Sequence, residues 1–312
     1  MDRRNHTAIT EFILVGFSDF PELQYLLFVL FLCIFTSSIS AHMFLIFLYR
    51  FSPNLQTPMY FFLGNFSFLE ICYILTIGPK TLTNLLSEHR TISFYGCALQ
   101  MYLFLLFAGS ECYMLASMAY DRYIAICHPL LYNILMHKVM CMQLICGSWL
   151  IGTMVAIIQT GLMFSLPFCG SHEINHFYCD IPPIMALACT NTQVHEVITF
   201  VITLSVIVGS FVLTVASYSV IIWTIVKRHS ASGRRKAFST CTSHLIVVTL
   251  FYGSGSVMYL RPKKNFGTAE DKFISLMYGI IVPLLNPFIY SFRNNDVVFA
   301  IRRIFHNIKL TQ

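Results

Sequence analysis

The stretch that decides the fold runs over Met118–Leu130 and reads MAYDRYIAICHPL. In it, the triplet Asp121, Arg122 and Tyr123 closes a long apolar segment, and Pro129 follows a few residues later. Charged side chains are costly in hydrocarbon, so an acid beside a base at this point predicts a helix that leaves a lipid bilayer at its cytoplasmic surface. The alternative is an arginine that merely extends from a membrane edge into water.

The composition indicates a membrane protein. Of the 312 residues, 56% are hydrophobic and only 11% are charged, whereas soluble domains carry about 25% charged residues. A soluble fold has too little interior to bury this much apolar surface, and no long polar stretch marks a separate soluble domain. We therefore expect one membrane domain over residues 1–312.

Seven segments reach the length of about 20 apolar residues that a helix needs to cross a bilayer. Numbered as spans one to seven, they are Gln24–Tyr49, Pro58–Leu86, Phe94–Ile126, Val139–Leu166, Val197–Val226, Phe238–Leu260 and Phe273–Phe292. The predicted fold class is an all-α membrane protein, with a seven-transmembrane helix bundle over residues 24–292. It lies between an N-terminal segment, 1–23, and a tail, 293–312.

Charge predicts the orientation of the bundle. With the N-terminus outside, 12 lysine and arginine residues lie inside and 8 lie outside, in agreement with the positive-inside rule. Asn5, in an Asn-His-Thr glycosylation acceptor pattern, then falls on the extracellular side, and the C-terminus is cytoplasmic. After span seven, a short amphipathic helix is expected on the inner surface, since Ile301, Ile304, Phe305 and Ile308 oppose Arg302, Arg303 and Lys309.

Cysteine positions predict disulfide bonds on the outer side. Four of the 11 cysteines lie there or at the outer edge, namely Cys97, Cys169, Cys179 and Cys189. An even number in an oxidising compartment predicts two disulfides, but four cysteines allow three pairings and their spacing does not select one. The other cysteines are expected to be packing residues, and Cys112 also to lie at a ligand.

Three ionisable residues lie within the spans. Glu70 and Glu111 fall near the middle of spans two and three, where a carboxylate needs a partner or a proton. The two predict a site that shares a proton or holds a cation such as sodium; the alternative is two separate neutral acids, each hydrogen-bonded to serine or asparagine. His42 in span one either pairs with Glu70 or is a neutral, separately satisfied histidine. Ionisable groups at membrane depth are functional candidates.

Span seven ends with a proline motif, PLLNPFIY over Pro283–Tyr290. Pro287 removes a backbone hydrogen bond, which predicts a kink that can act as a hinge. Asn286 is placed to use the freed carbonyls or to reach Glu70.

Several motifs occur together in order along the chain. Asp-Arg-Tyr at the end of span three and Asn-Pro-x-x-Tyr at the end of span seven resemble those of rhodopsin-like G-protein-coupled receptors, and Trp149 and Cys97 agree with this. The whole chain is similar to vertebrate odorant receptors. The segments that carry this resemblance are LQTPMY from Leu55, Met118–Leu130, Ser217-Tyr218, KAFSTCTSHL from Lys236, and PLLNPFIYSFRN from Pro283.

The resemblance implies a plasma-membrane odorant receptor that binds small volatile ligands and activates a stimulatory olfactory-type G protein to raise cyclic AMP. It implies the disulfides Cys97–Cys179 and Cys169–Cys189. It also implies that Arg122 swings between a resting partner and an active arrangement. The residues assigned to activation and G-protein coupling are Asp121, Arg122, Tyr123, Tyr218, His244, Asn286, Pro287 and Tyr290.

The chain departs from the family pattern at three places. Ala41-His42 stands where the family usually has Gly-Asn, Glu70 stands where it has aspartate, and Gln56 stands where it has histidine. A longer acid and an imidazole can meet where aspartate and asparagine normally do. A protonated His42 would also replace a bound sodium ion, so the departures put a family-like sodium site in doubt.

If the helices pack as the resemblance implies, a ligand pocket lies in the outer half of the bundle. Its lining is Phe104, Leu105, Ala108, Gly109 and Cys112 from span three, Ile202, Thr203, Val206 and Ile207 from span five, Tyr252, Gly255, Ser256 and Tyr259 from span six, and Gly279 and Ile280 from span seven. This apolar lining with a few hydroxyls suits small apolar or weakly polar ligands. The absence of a carboxylate over residues 101–109 argues against a biogenic amine.

Two other function classes fit less well. A channel or transporter needs polar groups at several depths, whereas the two acids share one level and the outer half is apolar. An intramembrane hydrolase needs a nucleophile and a base that meet, but Ser243 and His244 are neighbours that point to different faces of one helix. We therefore expect a receptor that is not an enzyme. Its expected partners are an odorant, a G protein and membrane lipid, with no nucleic acid.

Overall fold

A computed structural model of the chain describes residues 10–18, 21–169, 171–227, 231–259, 269–292 and 297–303. In these ranges seven helices are long and apolar enough to cross a membrane, which confirms the predicted fold. The helices of spans one to six are Gln24–Phe51, Pro58–Leu86, Phe94–Cys127, Lys138–Phe164, Gln193–Val226 and Ala231–Tyr259. Span seven consists of Ala269–Leu276, the π-helical turn Met277–Ile281 and Val282–Phe292.

Local chemistry sets the ends of these helices. Span two begins at Pro58, a position where no N–H donor is needed. Span three begins after Ser93, whose hydroxyl accepts a hydrogen bond of 3.0 Å from the Gly96 N–H. It ends shortly before Pro129, because proline disfavours helical geometry in the residue that precedes it.

Span three is the central helix of the bundle. Within its most apolar stretch 78% of the residues are buried, against 17% for span five, which borders lipid over most of its surface. Span four packs closely against it: a Cβ atom added at Gly152 would overlap the Ser110 side chain and the Leu106 carbonyl. Glycine therefore sets the distance between these two helices, as small residues do at helix contacts in membranes.

A small sheet covers the end of the bundle where span three begins. Strand β1, Glu11–Leu14, pairs antiparallel with β2, Thr91–Ser93, and parallel with β3, Glu173–Ile174. Phe12 and Leu14 point inwards and are fully buried, whereas Glu11 and Ile13 are exposed. This period of two fixes the register and ties the N-terminal segment to the loop between spans four and five.

Two disulfides hold the same loop in place. Cys97 at the start of span three bonds to Cys179, and Cys169 bonds to Cys189, with Cα–Cα distances of 5.6 and 5.7 Å. These are the pairings that the resemblance implies.

The opposite end of the bundle carries two short helices. One, Tyr132–Leu135, follows span three. The other covers residues 297–303, where Val297 and Ala300 are buried and Arg302 and Arg303 are exposed, so this part of the predicted amphipathic helix is present. The rest of that prediction, including Ile304, Phe305, Ile308 and Lys309, and the predicted glycosylation site Asn5 lie outside the described residues.

Candidate ligand-binding cavity and signalling core

A cavity opens between spans three to seven, in the half of the bundle nearer the sheet. Most of its lining is apolar, with hydroxyl, thiol and amide groups at a few points. The lining residues are Leu105, Ala108, Gly109, Cys112, Val155, Gln159, Thr203, Val206, Ile207, Phe251, Tyr252, Gly255, Ser256, Tyr259 and Tyr278. A cavity with this lining suits a small, mostly apolar ligand.

Most of the predicted pocket residues meet at this cavity, but four do not line it: Phe104, Ile202, Gly279 and Ile280. Phe104 packs instead between Tyr73 and Tyr178, with ring centroids 5.4 and 4.9 Å away. Ile202 precedes Thr203 on span five and does not line the cavity, although Val206, four residues further along the helix, does.

The other two residues, Gly279 and Ile280, lie in the π-helical turn of span seven. In this turn Tyr278 is the residue that lines the cavity. Gly279 then faces span two, where an added Cβ would lie 3.5 Å from Ile77. Ile280 is buried at 2% exposure in helix packing.

Sequence reasoning missed four lining residues, namely Val155, Gln159, Phe251 and Tyr278. Two of them lie on span four, which was not expected to reach the ligand. A signal was present, because Gln159 is an amide side chain well inside span four, and polar side chains at membrane depth usually face the bundle interior.

Gln159 and Tyr259 bring unsatisfied polar atoms to the cavity. Gln159 Nε2 donates a hydrogen bond of 3.1 Å to Thr203 Oγ1. Its Oε1 and the Tyr259 hydroxyl are buried, and neither has a hydrogen-bond partner within the described part of the chain. Two of the residues that line the cavity therefore each carry a buried polar atom that lacks a hydrogen-bond partner within the described ranges.

The floor of the cavity joins span three to span six. The Tyr252 hydroxyl donates a hydrogen bond of 3.2 Å to the Cys112 carbonyl. The Tyr252 ring also packs against Phe211 of span five, with centroids 5.3 Å apart. A ligand above this floor thus contacts the two helices that carry Arg122 and His244 at their other ends.

Directly beside this floor, the structure brings Glu70, Glu111 and Asn286 together. Both carboxyl groups are almost fully buried, at 0% and 3% exposure, and they adjoin each other. Asn286 Nδ2 donates a hydrogen bond to Glu70 Oε1. Of the two predicted roles for Asn286, the structure thus shows the contact with Glu70.

His42, and not Asn286, binds the backbone carbonyl that Pro287 leaves free in span seven. Its Nε2 lies 3.0 Å from the Pro283 carbonyl oxygen and donates to it. Pro287, four residues further along span seven, has no N–H to offer that carbonyl, so the imidazole supplies the hydrogen bond that the helix lacks. The pairing of His42 with Glu70 is therefore not the arrangement that the structure shows.

Arg122 is held by groups on its own side of the bundle. Its guanidinium binds the neighbouring Asp121 carboxylate, and the Tyr132 hydroxyl donates a hydrogen bond of 2.8 Å to Asp121 Oδ1. Tyr132 lies in the loop after span three, where burial and the nearby Asp121 carboxylate raise the pKa of its phenol. The phenol therefore remains a donor, and Tyr132, Asp121 and Arg122 form one hydrogen-bonded network.

The other predicted activation residues lie around this network. The Tyr218 hydroxyl and His244 Nδ1 are 2.6 Å apart and join span five to span six. Tyr123 instead bonds to His128, at 3.1 Å. The Tyr290 hydroxyl is buried with no hydrogen-bond partner within the described ranges. Arg122 is thus bonded to Asp121, and no hydrogen bond from Tyr218 or Tyr290 to Arg122 is seen in the described part of the chain.

Among the described residues, no group of three or more histidine, cysteine, aspartate or glutamate side chains is arranged to hold a metal ion. The Glu70 and Glu111 pair, with Asn286, is the described group whose oxygen ligands suit a hard cation such as sodium. Glu70 Oε2 and Asn286 Oδ1 are buried there without a partner within the described part of the chain.

Comparison with known proteins agrees with this architecture. A family profile described as "Olfactory receptor" matches residues 28–308. The chain is 48% identical over 299 residues to human olfactory receptor 10A7, covering 96% of this chain and 95% of that protein. It is 49% identical to human olfactory receptor 10AG1, over 94% of this chain and 98% of that protein. It is 45% identical to mouse olfactory receptor 5AP2, over 98% and 97%. These relatives are receptors and not enzymes, which confirms the prediction that this protein is not an enzyme. The chain belongs to the olfactory receptor family.

Proposed function

We propose that this olfactory receptor binds small volatile, mostly apolar ligands in the cavity and in response activates a stimulatory olfactory-type G protein, which raises cyclic AMP. The observation that carries the proposal is the cavity floor. There Tyr252 of span six bonds to Cys112 of span three. The same two helices carry His244 and Arg122 towards the other end of the bundle, where a G protein would bind.

Ligand binding acts by a shift of populations. A ligand that packs better against span six in its active position favours that position, and only this difference in affinity can move the equilibrium. Movement of span six separates His244 from Tyr218, and the vacated space lets Arg122 leave Asp121. A change from 1:99 to 99:1 in favour of the active state needs about a 10⁴-fold difference in ligand affinity between the two states.

We further propose that the protein lies in the plasma membrane with its N-terminus outside. The disulfides and the sheet share one end of the bundle, and disulfides persist in oxidising compartments. That end is then extracellular, Asn5 is available for glycosylation, and the apolar outer faces of the spans contact lipid.

The Glu70 and Glu111 pair is proposed to hold one positive charge, either a shared proton or a sodium ion. Two adjoining carboxylates cannot both remain ionised without a counter-charge. The measurement is basal cyclic AMP in sodium chloride and in choline chloride at equal ionic strength. A sodium-dependent change assigns the site to sodium, and an unchanged basal level would contradict a sodium ion that controls the basal state.

The test of the main proposal uses cells that display the full chain at their surface. Mixtures of small volatile compounds are applied with and without a supplied stimulatory olfactory-type G protein. We expect cyclic AMP to rise only when both receptor and G protein are present. A rise that is independent of the G protein, or silence to all mixtures despite proven surface display, would contradict the proposal.

A further inference from the structure

The buried amide of Gln159 is the feature of the cavity that most restricts its ligand. The side chain is 1% exposed and lines the cavity from span four. Its Nε2 is engaged by Thr203 Oγ1, whereas its Oε1 has no hydrogen-bond partner in the described part of the protein. A buried acceptor without a donor carries a desolvation cost, so this oxygen favours a ligand that supplies a donor.

Tyr259 offers a second polar atom from span six. Its hydroxyl is buried and has no hydrogen-bond partner within the described ranges. A phenol can both donate and accept a hydrogen bond, so Tyr259 can pair with either a donor or an acceptor group of a ligand. Gln159 Oε1 can only accept, and it therefore makes the sharper selection.

The lack of charged side chains among the described residues that line the cavity further restricts its ligand. None of the described residues that line it is a lysine, arginine, histidine, aspartate or glutamate. An ionised ligand would lose its hydration there without gaining an opposite charge, which is costly. Amines and carboxylic acids in their charged forms are thus disfavoured.

We propose that the ligand of this cavity is an apolar molecule with one hydroxyl group, and that this hydroxyl donates a hydrogen bond to Gln159 Oε1. The inference rests on the proposed function, because it specifies the ligand of the same cavity. A ketone, aldehyde or hydrocarbon with the same carbon skeleton has no O–H to donate. Such a compound leaves Gln159 Oε1 unpaired, which is how a polar site rejects an analogue that lacks one group.

The test measures binding directly, apart from signalling. The full chain is purified in lipid nanodiscs, and its thermal unfolding is followed with menthol, menthone and p-menthane, which share one skeleton. A linear set of n-octanol, octanal and n-octane is run beside it. Ligands that bind the folded state raise Tm. We expect the alcohol of at least one set to bind about tenfold more tightly than its partners, the size of one net hydrogen bond.

Two variants test the role of the amide. Gln159→Met keeps the length of the side chain but removes the acceptor, so we expect it to abolish the preference for the alcohol. Thr203→Val frees Gln159 Nε2 to serve as a donor, so we expect it to raise the affinity for the ketone or aldehyde. Ile157→Val is the matched control on span four, since Ile157 is 55% exposed on the lipid side; its ligand preference should equal that of the parent chain.

The outcomes separate the two proposals. Equal Tm shifts within both sets, no shift from any compound, or an alcohol preference that survives Gln159→Met would each overturn the hydroxyl assignment. Cyclic AMP is measured with the same compounds in cells. Alcohol-selective binding without a cyclic AMP response would leave the assignment standing and contradict the proposed signalling function.

Discussion

At the scale of residues, one helical hydrogen bond is missing inside the bundle, and a side chain of another span replaces it. Pro287 leaves the Pro283 carbonyl without its helical donor, and His42 of span one supplies one at 3.0 Å. The sequence predicted that Glu70 and Glu111 would form one site, and it offered Glu70 as one of two partners for Asn286, because ionisable groups in hydrocarbon need partners. It did not predict the partner of His42, since that depends on how spans one and seven are rotated about their axes.

The bond from His42 to Pro283 gives a first prediction. Replacing His42 by leucine leaves a buried carbonyl unsatisfied, so we expect a loss of about 1–3 kcal/mol in the free energy of unfolding. His42→Asn retains an N–H donor and should lose less. Thermal unfolding of the purified variants measures both, with the lipid-exposed Met43→Leu as the control. Equal stability of His42→Leu and the parent chain would contradict this role.

A second prediction concerns the resting partner of Arg122. Tyr132→Phe removes the hydrogen bond to Asp121 Oδ1, so Arg122 is held less firmly and the active state becomes more populated. We expect basal cyclic AMP to rise by about two- to tenfold per receptor, which corresponds to one net hydrogen bond of 0.5–1.5 kcal/mol. The level is normalised to surface display. Unchanged or lower basal activity would show that the Tyr132 bond does not restrain Arg122.

At the scale of elements, apolar length predicted the spans well because the hydrocarbon thickness fixes how long a spanning helix must be. The π-helical turn Met277–Ile281 and strands β1 to β3 were not predicted. The turn is decided by packing between spans, and the strands are only two to four residues long and pair segments far apart in the chain. The missed lining residues on span four have the same origin, since helix rotation set them.

The contact between spans three and four gives a third prediction. Gly152→Ala places a methyl group where the Ser110 side chain and the Leu106 carbonyl already lie, so we expect overpacking to cost about 1–3 kcal/mol and to lower surface display. Gly147→Ala and Gly161→Ala are matched controls on the same helix, because an added Cβ meets no atom within 4 Å at either position. These two should equal or exceed the parent in thermal stability. A Gly152→Ala protein as stable as its controls would contradict the close packing.

At the scale of the whole molecule, the cavity and the Arg122 network lie at different depths of one bundle and share spans three and six. The sequence predicted both ends, because the Asp-Arg-Tyr and Asn-Pro-x-x-Tyr motifs and the apolar outer half were visible in it. It did not predict how the cavity is closed by Tyr252 and Cys112, which depends on tertiary contacts. Ligand binding in the cavity and G-protein coupling at Arg122 are therefore two different steps, and spans three and six connect them.

The most direct test of this claim measures binding and cyclic AMP for one activating compound in two variants. Ala108→Phe fills the cavity, so it should abolish both the ligand-induced rise in Tm and the cyclic AMP response. Arg122→Ala should retain the rise in Tm and lose the cyclic AMP response, with surface display of both variants confirmed. A cyclic AMP response that persists in well-displayed Ala108→Phe, or in well-displayed Arg122→Ala, would contradict the account.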